Sequence, residues 1–184
     1  MEVHICAARP AAQFTGVLAL AIALTGLADA SASLGQGDTR PARIPPWPCR
    51  LIVKPTLLGV LEDGWERSPT LRGQCRELAE ARSVVVLEWR ESPDSQSRAV
   101  TRMGADSTGV VVARVSVPPV SHAIELVAHE LEHVLERARG LDLAAESRQR
   151  DSRVWKAFGG FESQRAIDIG RQVAREVEDS RRAR

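Results

Sequence analysis

The sequence predicts an α+β domain, a small antiparallel or mixed sheet packed on two long helices. Three observations carry this. Short β-branched runs come before the long helical patterns, two amphipathic helices occupy the last third, and no internal repeat is present. Residues 51–53 (LIV) read as a strand. Residues 68–82 place Leu71, Cys75, Leu78 and Ala79 at helical spacing behind a Ser68-Pro69 start. The run 83–89 (SVVVLEW) is a second strand, and 98–103 and 109–117 are two more, joined as a hairpin by the turn residues of 104–108. Pro118-Pro119 ends the last strand. Ser121 then caps a helix running to about residue 139, with Glu125 near its positive end and Gly140 as its stop. A final helix covers about residues 160–181, with Ala166, Ile169, Val173 and Val177 as its apolar stripe.

The first 48 residues read differently. Arg9 precedes an uncharged run over 15–28 (TGVLALAIALTGLA) that ends in small residues, the pattern of a signal peptide cleaved after Ala30 or Ala32. A spanning helix needs about 20 apolar residues, more than this run offers; an uncleaved N-terminal anchor is the competing reading. Residues 31–48, rich in Gly, Pro and Ser, form a flexible linker, which leaves 49–184 as one domain. The mature chain is thus expected in the periplasm or the medium, without stable membrane insertion. Cleavage removes Glu2, Arg9 and Asp29 and moves the formal charge from +1 to about +2, with the charges interspersed, so no case exists for nucleic acid. Cys6 leaves with the signal peptide, and Cys49 and Cys75 remain as a pair in an oxidising compartment. A disulfide between them would contribute about 3 kcal/mol by loop closure; two separate buried thiols are the alternative.

The helix over about 121–139 contains His129-Glu130-Leu131-Glu132-His133. Residues i and i+4 share a helix face, so two imidazoles converge on one point and Glu130 reaches a water held there. Zinc prefers imidazole nitrogen, and a site with one open position lowers the pKa of its water to about 7. Ile124, Val127, Ala128, Leu131, Leu135 and Ala138 make one apolar stripe, with His129 and His133 on the opposite face beside His122 and Leu126. The plainer reading is that this opposite face is merely solvated.

At these residues the sequence resembles the zincin metallopeptidases. No third His follows the motif, since residues 136–141 read ERARGL, which makes it similar to the gluzincin branch, whose third ligand is a Glu on a later helix. The resemblance covers strand 109–117, the motif helix and the last helix. It implies one Zn2+ ion, a peptide or protein substrate, and strand 109–117 as the sheet edge along which an extended peptide pairs. Two positions depart from the family pattern: Glu132, where an uncharged residue is usual, and Ala166, where many gluzincins carry an Asp that braces a ligand His.

The third ligand is expected to be a carboxylate, because His122 precedes His129 by seven residues, about 10 Å along a helix, too far for one tetrahedral site. Glu162 lies on the stripe of the last helix one turn before Ala166, and a carboxylate aimed at a packing face needs a partner or a metal. A first-turn acid stabilised by the helix dipole, or paired with Arg165, is the competing account of Glu162. Glu136, Asp142 and Glu146 are the other carboxylates near the motif. The chain has no Tyr, so the candidates for stabilising a transition state are His122 and Arg165. The expected activity is peptide hydrolysis, with Glu130 as general base. The other readings are an exported zinc-binding domain without turnover and a disulfide-stapled interaction module without metal.

Overall fold

The computed structural model describes residues 47–90, 98–157 and 159–184; the predicted signal peptide and the predicted linker up to residue 46 lie outside the described residues. Strand β1 (Arg50–Val53) leads through Lys54 into helix α1 (Pro55–Arg67), started by Pro55 and burying Leu57, Leu61 and Gly64. The sequence reading passed over α1. Gly59 and Gly64 lower its intrinsic propensity, and only packing of one face offsets that. Helix α2 (Pro69–Glu80) is capped by Ser68, whose hydroxyl accepts from Leu71 N at 3.0 Å. A disulfide joins Cys49 at the mouth of β1 to the buried Cys75 on α2, with Cα atoms 5.1 Å apart.

Strands β2 (Val84–Trp89), β3 (Val100–Ala105) and β4 (Val111–Val117) complete a mixed four-stranded sheet in the order β1-β2-β4-β3. β1 and β4 run parallel to β2, and β3 runs antiparallel to β4. Val85, Leu87, Ala113, Val115 and Val117 are buried on the inner face, whereas Ile52, Val112 and Arg114 on the outer face are exposed. Two expectations are corrected here. The turn begins at Asp106, because Gly104 and Ala105 still pair with Val112 and Val111. The edge beside the helices is β3, not the strand over 109–117: the chain leaves β2, runs out to the rim as β3 and returns as β4 between them.

Helix α3 (Ala123–Ala138) crosses the inner face with Val127, Ala128, Leu131, Val134 and Leu135 buried. Its N-cap is His122 rather than Ser121, and His122 makes no side-chain cap bond. Gly140, at φ +80°, supplies the left-handed turn that lets Leu141 N bond to Glu136 O at 3.0 Å, so the predicted stop holds. After a short helix α4 (Leu143–Glu146), capped by Asp142, comes a hairpin of β5 (Val154–Ala157) and β6 (Gly160–Ser163). Only then does α5 (Gln164–Arg182) begin, capped by Ser163. The final helix is therefore four residues shorter at its start than predicted, and Glu162 stands on a strand. The hairpin ladder claims residues 160–163, and the Ser163 hydroxyl accepting from Ala166 N at 3.0 Å fixes the helix start.

Helices α3 and α5 approach closely at Gly170. A Cβ there would lie 2.9 Å from Glu125 O and 3.2 Å from His129 Cβ. Gly170→Ala should thus push α5 off α3 beside the first motif histidine and destabilise by about 1–3 kcal/mol, although Ala is the better helix former. Gly73→Ala on α2 meets nothing within 4 Å and should stabilise by about 0.5–1 kcal/mol. Urea midpoints of the two variants test the contrast, and equal gains from both would refute the close crossing.

Candidate metal centre

The motif histidines present Nε2 to one carboxylate oxygen. His129 Nε2 lies 3.2 Å and His133 Nε2 3.1 Å from Glu162 Oε1. Ligand atoms of these three residues all lie within 4.8 Å of one another. Around a tetrahedral ion with bonds of about 2.0–2.2 Å, neighbouring ligand atoms stand about 3.4 Å apart, close to both contacts. The centre draws on two helical turns of α3 and on β6, held together by the α3–α5 packing.

His133 decides what this cluster can hold. Its Nδ1 lies 2.8 Å from Glu136 Oε2 while its Nε2 faces Glu162. A neutral imidazole has one N–H, so one of these contacts would set a lone pair against a carboxylate. Both become favourable only with a second proton on the ring or a cation at Nε2. The donor set therefore fits a metal such as zinc: two neutral imidazoles, one carboxylate, and an anionic partner on the far ring nitrogen. That partner is Glu136, three residues on in the same helix. Its other oxygen accepts from the Ser163 hydroxyl at 2.6 Å, and Ser163 N donates to Glu162 Oε1 at 2.9 Å. Ser163 and Glu136 were not assigned these roles from sequence, although the cap position and the i, i+3 spacing were both visible.

Comparison with family models, curated proteins and solved structures finds no match for this chain. The site thus rests on its own geometry. It opens into a cleft of about 810 Å³ lined by Thr101 and Met103 of the edge strand, Leu126 and Glu130 of α3, and Gly160 and Phe161 of the hairpin. Glu130 is buried and accepts from Thr101 Oγ1 at 2.5 Å, an orienting contact not foreseen from sequence. His122 is exposed at the start of α3 and does not line the cleft. Arg165 is turned away as well, its Nε bonded to Glu132 at 2.5 Å. Neither is placed to stabilise a transition state, because α3 and α5 direct them to other faces. Asp142 caps α4 and Glu146 is its last residue, and both stay out of the cleft.

Glu132 is almost wholly buried and points to the core side, receiving Arg139 at 2.8 Å, Arg165 at 2.5 Å and Gln74 at 3.1 Å. Burial alone would raise its pKa, and these three donors together hold it below the usual range.

With protons as the only available cations, burial disfavours charge on His133, but the hydrogen bonds to Glu136 and Glu162 outweigh it and raise its pKa from 6.5 to about 10. Glu162 is held far below the usual carboxylate range because the bonds from His129 and His133 overcome its burial. A raised histidine pKa stabilises fully below the unfolded value of 6.5 and ceases to do so as pH climbs to about 10. Chelator-treated protein should accordingly lose melting temperature by several degrees across that window, His133→Ala should flatten the loss, and saturating zinc should remove it. Zinc uptake near pH 7.5 should release close to one proton, measurable in a weakly buffered solution. A flat alkaline profile in the chelated wild-type chain would refute the proton-filled site.

Proposed function

We propose that this chain is an exported zinc metallopeptidase of the gluzincin type, hydrolysing peptide bonds with Glu130 as general base. The observation that carries the reading is the convergence of His129 and His133 Nε2 on Glu162 Oε1, with Glu130 beside them on the wall of one open cleft. His129, His133 and Glu162 would hold the ion. Bound there, zinc supplies Lewis acidity toward the scissile carbonyl and lowers the pKa of water. Glu130 takes a proton from the attacking water and delivers it to the leaving amine nitrogen, and Thr101 holds the carboxylate in position for both transfers. Glu136 fixes His133 in the tautomer that leaves Nε2 free to ligate. The edge strand β3, which has no further strand beside it among the described residues, offers backbone groups along the cleft for an extended peptide.

Export is supported by the buried disulfide, a bond of oxidising compartments, and no helix among the described residues is long and apolar enough to cross a membrane. The reading of a zinc domain without turnover leans on Glu132, on Ala166 and on the small size of the chain. Glu132 faces its arginines and not the cleft, and Glu136 braces His133 in place of an acid at 166, so neither residue weighs against catalysis.

Purified, dialysed protein should carry about one zinc per chain by elemental analysis, and less than about a tenth of an equivalent would sink the enzyme reading. Glu130→Gln should keep the metal and lose turnover of a peptide library by about 10²–10⁴-fold. His133→Ala and Glu162→Ala should lose metal and turnover together. Thr101→Val should keep the metal and slow turnover at least about tenfold, the worth of a hydrogen bond to a charged group.

A further inference from the structure

The cleft has a basic end that the hydrolytic chemistry does not use. Arg90 and Arg98 are both among the residues that line the cleft. Arg90 directly follows β2, its N–H bonded to Val117 O at 2.7 Å, and its Nη1 donates to Arg98 O at 3.4 Å. Because β4 lies between β2 and β3, this guanidinium reaches across the end of β4 to the place where the edge strand begins. Among the described residues no carboxylate pairs with Arg90, whereas Arg98 has a partner of its own, so the donors on offer are those of Arg90; Glu88 nearby is engaged by Arg114 and Ser116, and Glu130 by Thr101. A guanidinium has five N–H donors, and one spent on a carbonyl leaves a fork for a planar anion.

Arg98 precedes Thr101, the residue bonded to Glu130, by three positions. Extended chain advances about 3.3 Å per residue, so the basic end lies about 10 Å, or three substrate residues, from the general base. We propose that this end is a carboxylate subsite: it selects peptides with an acidic side chain or a free C-terminal carboxylate about three residues from the scissile bond. The inference rests on the peptidase reading and names its substrate class. Half-buried, Arg90 meets a carboxylate in a medium less polarising than water, where a charge-assisted bond gains strength.

The test uses zinc-loaded Glu130→Gln protein, in which binding is separated from turnover, and fluorescent peptides of one apolar sequence. These carry Glu or Gln three residues to either side of the central bond, each with a free or an amidated C terminus. The acidic forms should bind at least about tenfold tighter than their neutral counterparts, by an amount that shrinks at high salt. Adding Arg90→Gln should abolish the preference at unchanged zinc content, and Arg90→Lys should restore part of it. The free and amidated arms show whether a side chain or the terminus is read. Acidic and neutral peptides binding within about twofold of each other overturns the subsite, as does failure of every peptide to bind or a preference that survives Arg90→Gln with Arg98→Gln. Turnover by the unsubstituted zinc-loaded chain reads the peptidase proposal separately. Charge-selective binding without hydrolysis overturns that proposal alone, and hydrolysis without charge preference overturns this one alone.

Discussion

Ser163 donates its hydroxyl proton to Glu136 at 2.6 Å, accepts from Ala166 N at 3.0 Å and sends its own N–H to Glu162 at 2.9 Å. One buried residue therefore ends the hairpin, starts the last helix, fixes the brace of one histidine and orients the carboxylate that both histidines face. The arrangement works because α5 can lie against α3 at Gly170, where any side chain would meet the backbone of the motif helix. Remove the hydroxyl, and Glu136 loses one of its two side-chain partners among the described residues. A buried carboxylate in that condition is held less firmly, and His133 loses the support that orients it.

Helix α3 shows how three glutamates of one short stretch are given different work by their angular position. Glu130 looks into the cleft and is held by Thr101 of the sheet edge. Glu132, two residues on, looks to the opposite side, where Arg139 and Arg165 neutralise it and Gln74 donates a hydrogen bond. Glu136 is one turn beyond His133 and supports it from within the same helix. Buried charge is tolerated only where each ion has its own partners, and the helix is buried around much of its circumference because each does. The plainer sequence account, in which the histidine face was simply solvated, is removed by the same fact, since His133 is itself buried.

Much of this was legible because it depends on local periodicity. The β-branched strands, the caps at Ser68 and Gly140, and the disulfide pair follow from rules that act within a few residues or within one compartment. Where two rules gave the same spacing, the local reading failed. Glu162 stands four residues before Ala166, which looks like one helical turn, yet Gly160–Ser163 pairs with Val154–Ala157 instead. Helix α1 was passed over for the converse reason: two glycines weaken its local signal, and burial of Leu57 and Leu61 restores it.

By itself the sequence determined the chemical alphabet of the site: two imidazoles and a carboxylate on one helix, set by the i, i+4 geometry that any α-helix imposes. Glu162 was also found from sequence, though as a helical residue and by its place on an apolar stripe. What only the tertiary structure decided is everything that depends on elements distant in the chain. It set Glu162 on a strand, gave the bracing role to Glu136 through Ser163, made β3 the edge, and turned His122 and Arg165 away from the cleft. It also carried Arg90 across the end of β4 to Arg98. Strand order and helix crossing are settled by burial of whole faces, a sum over many residues that no single spacing records.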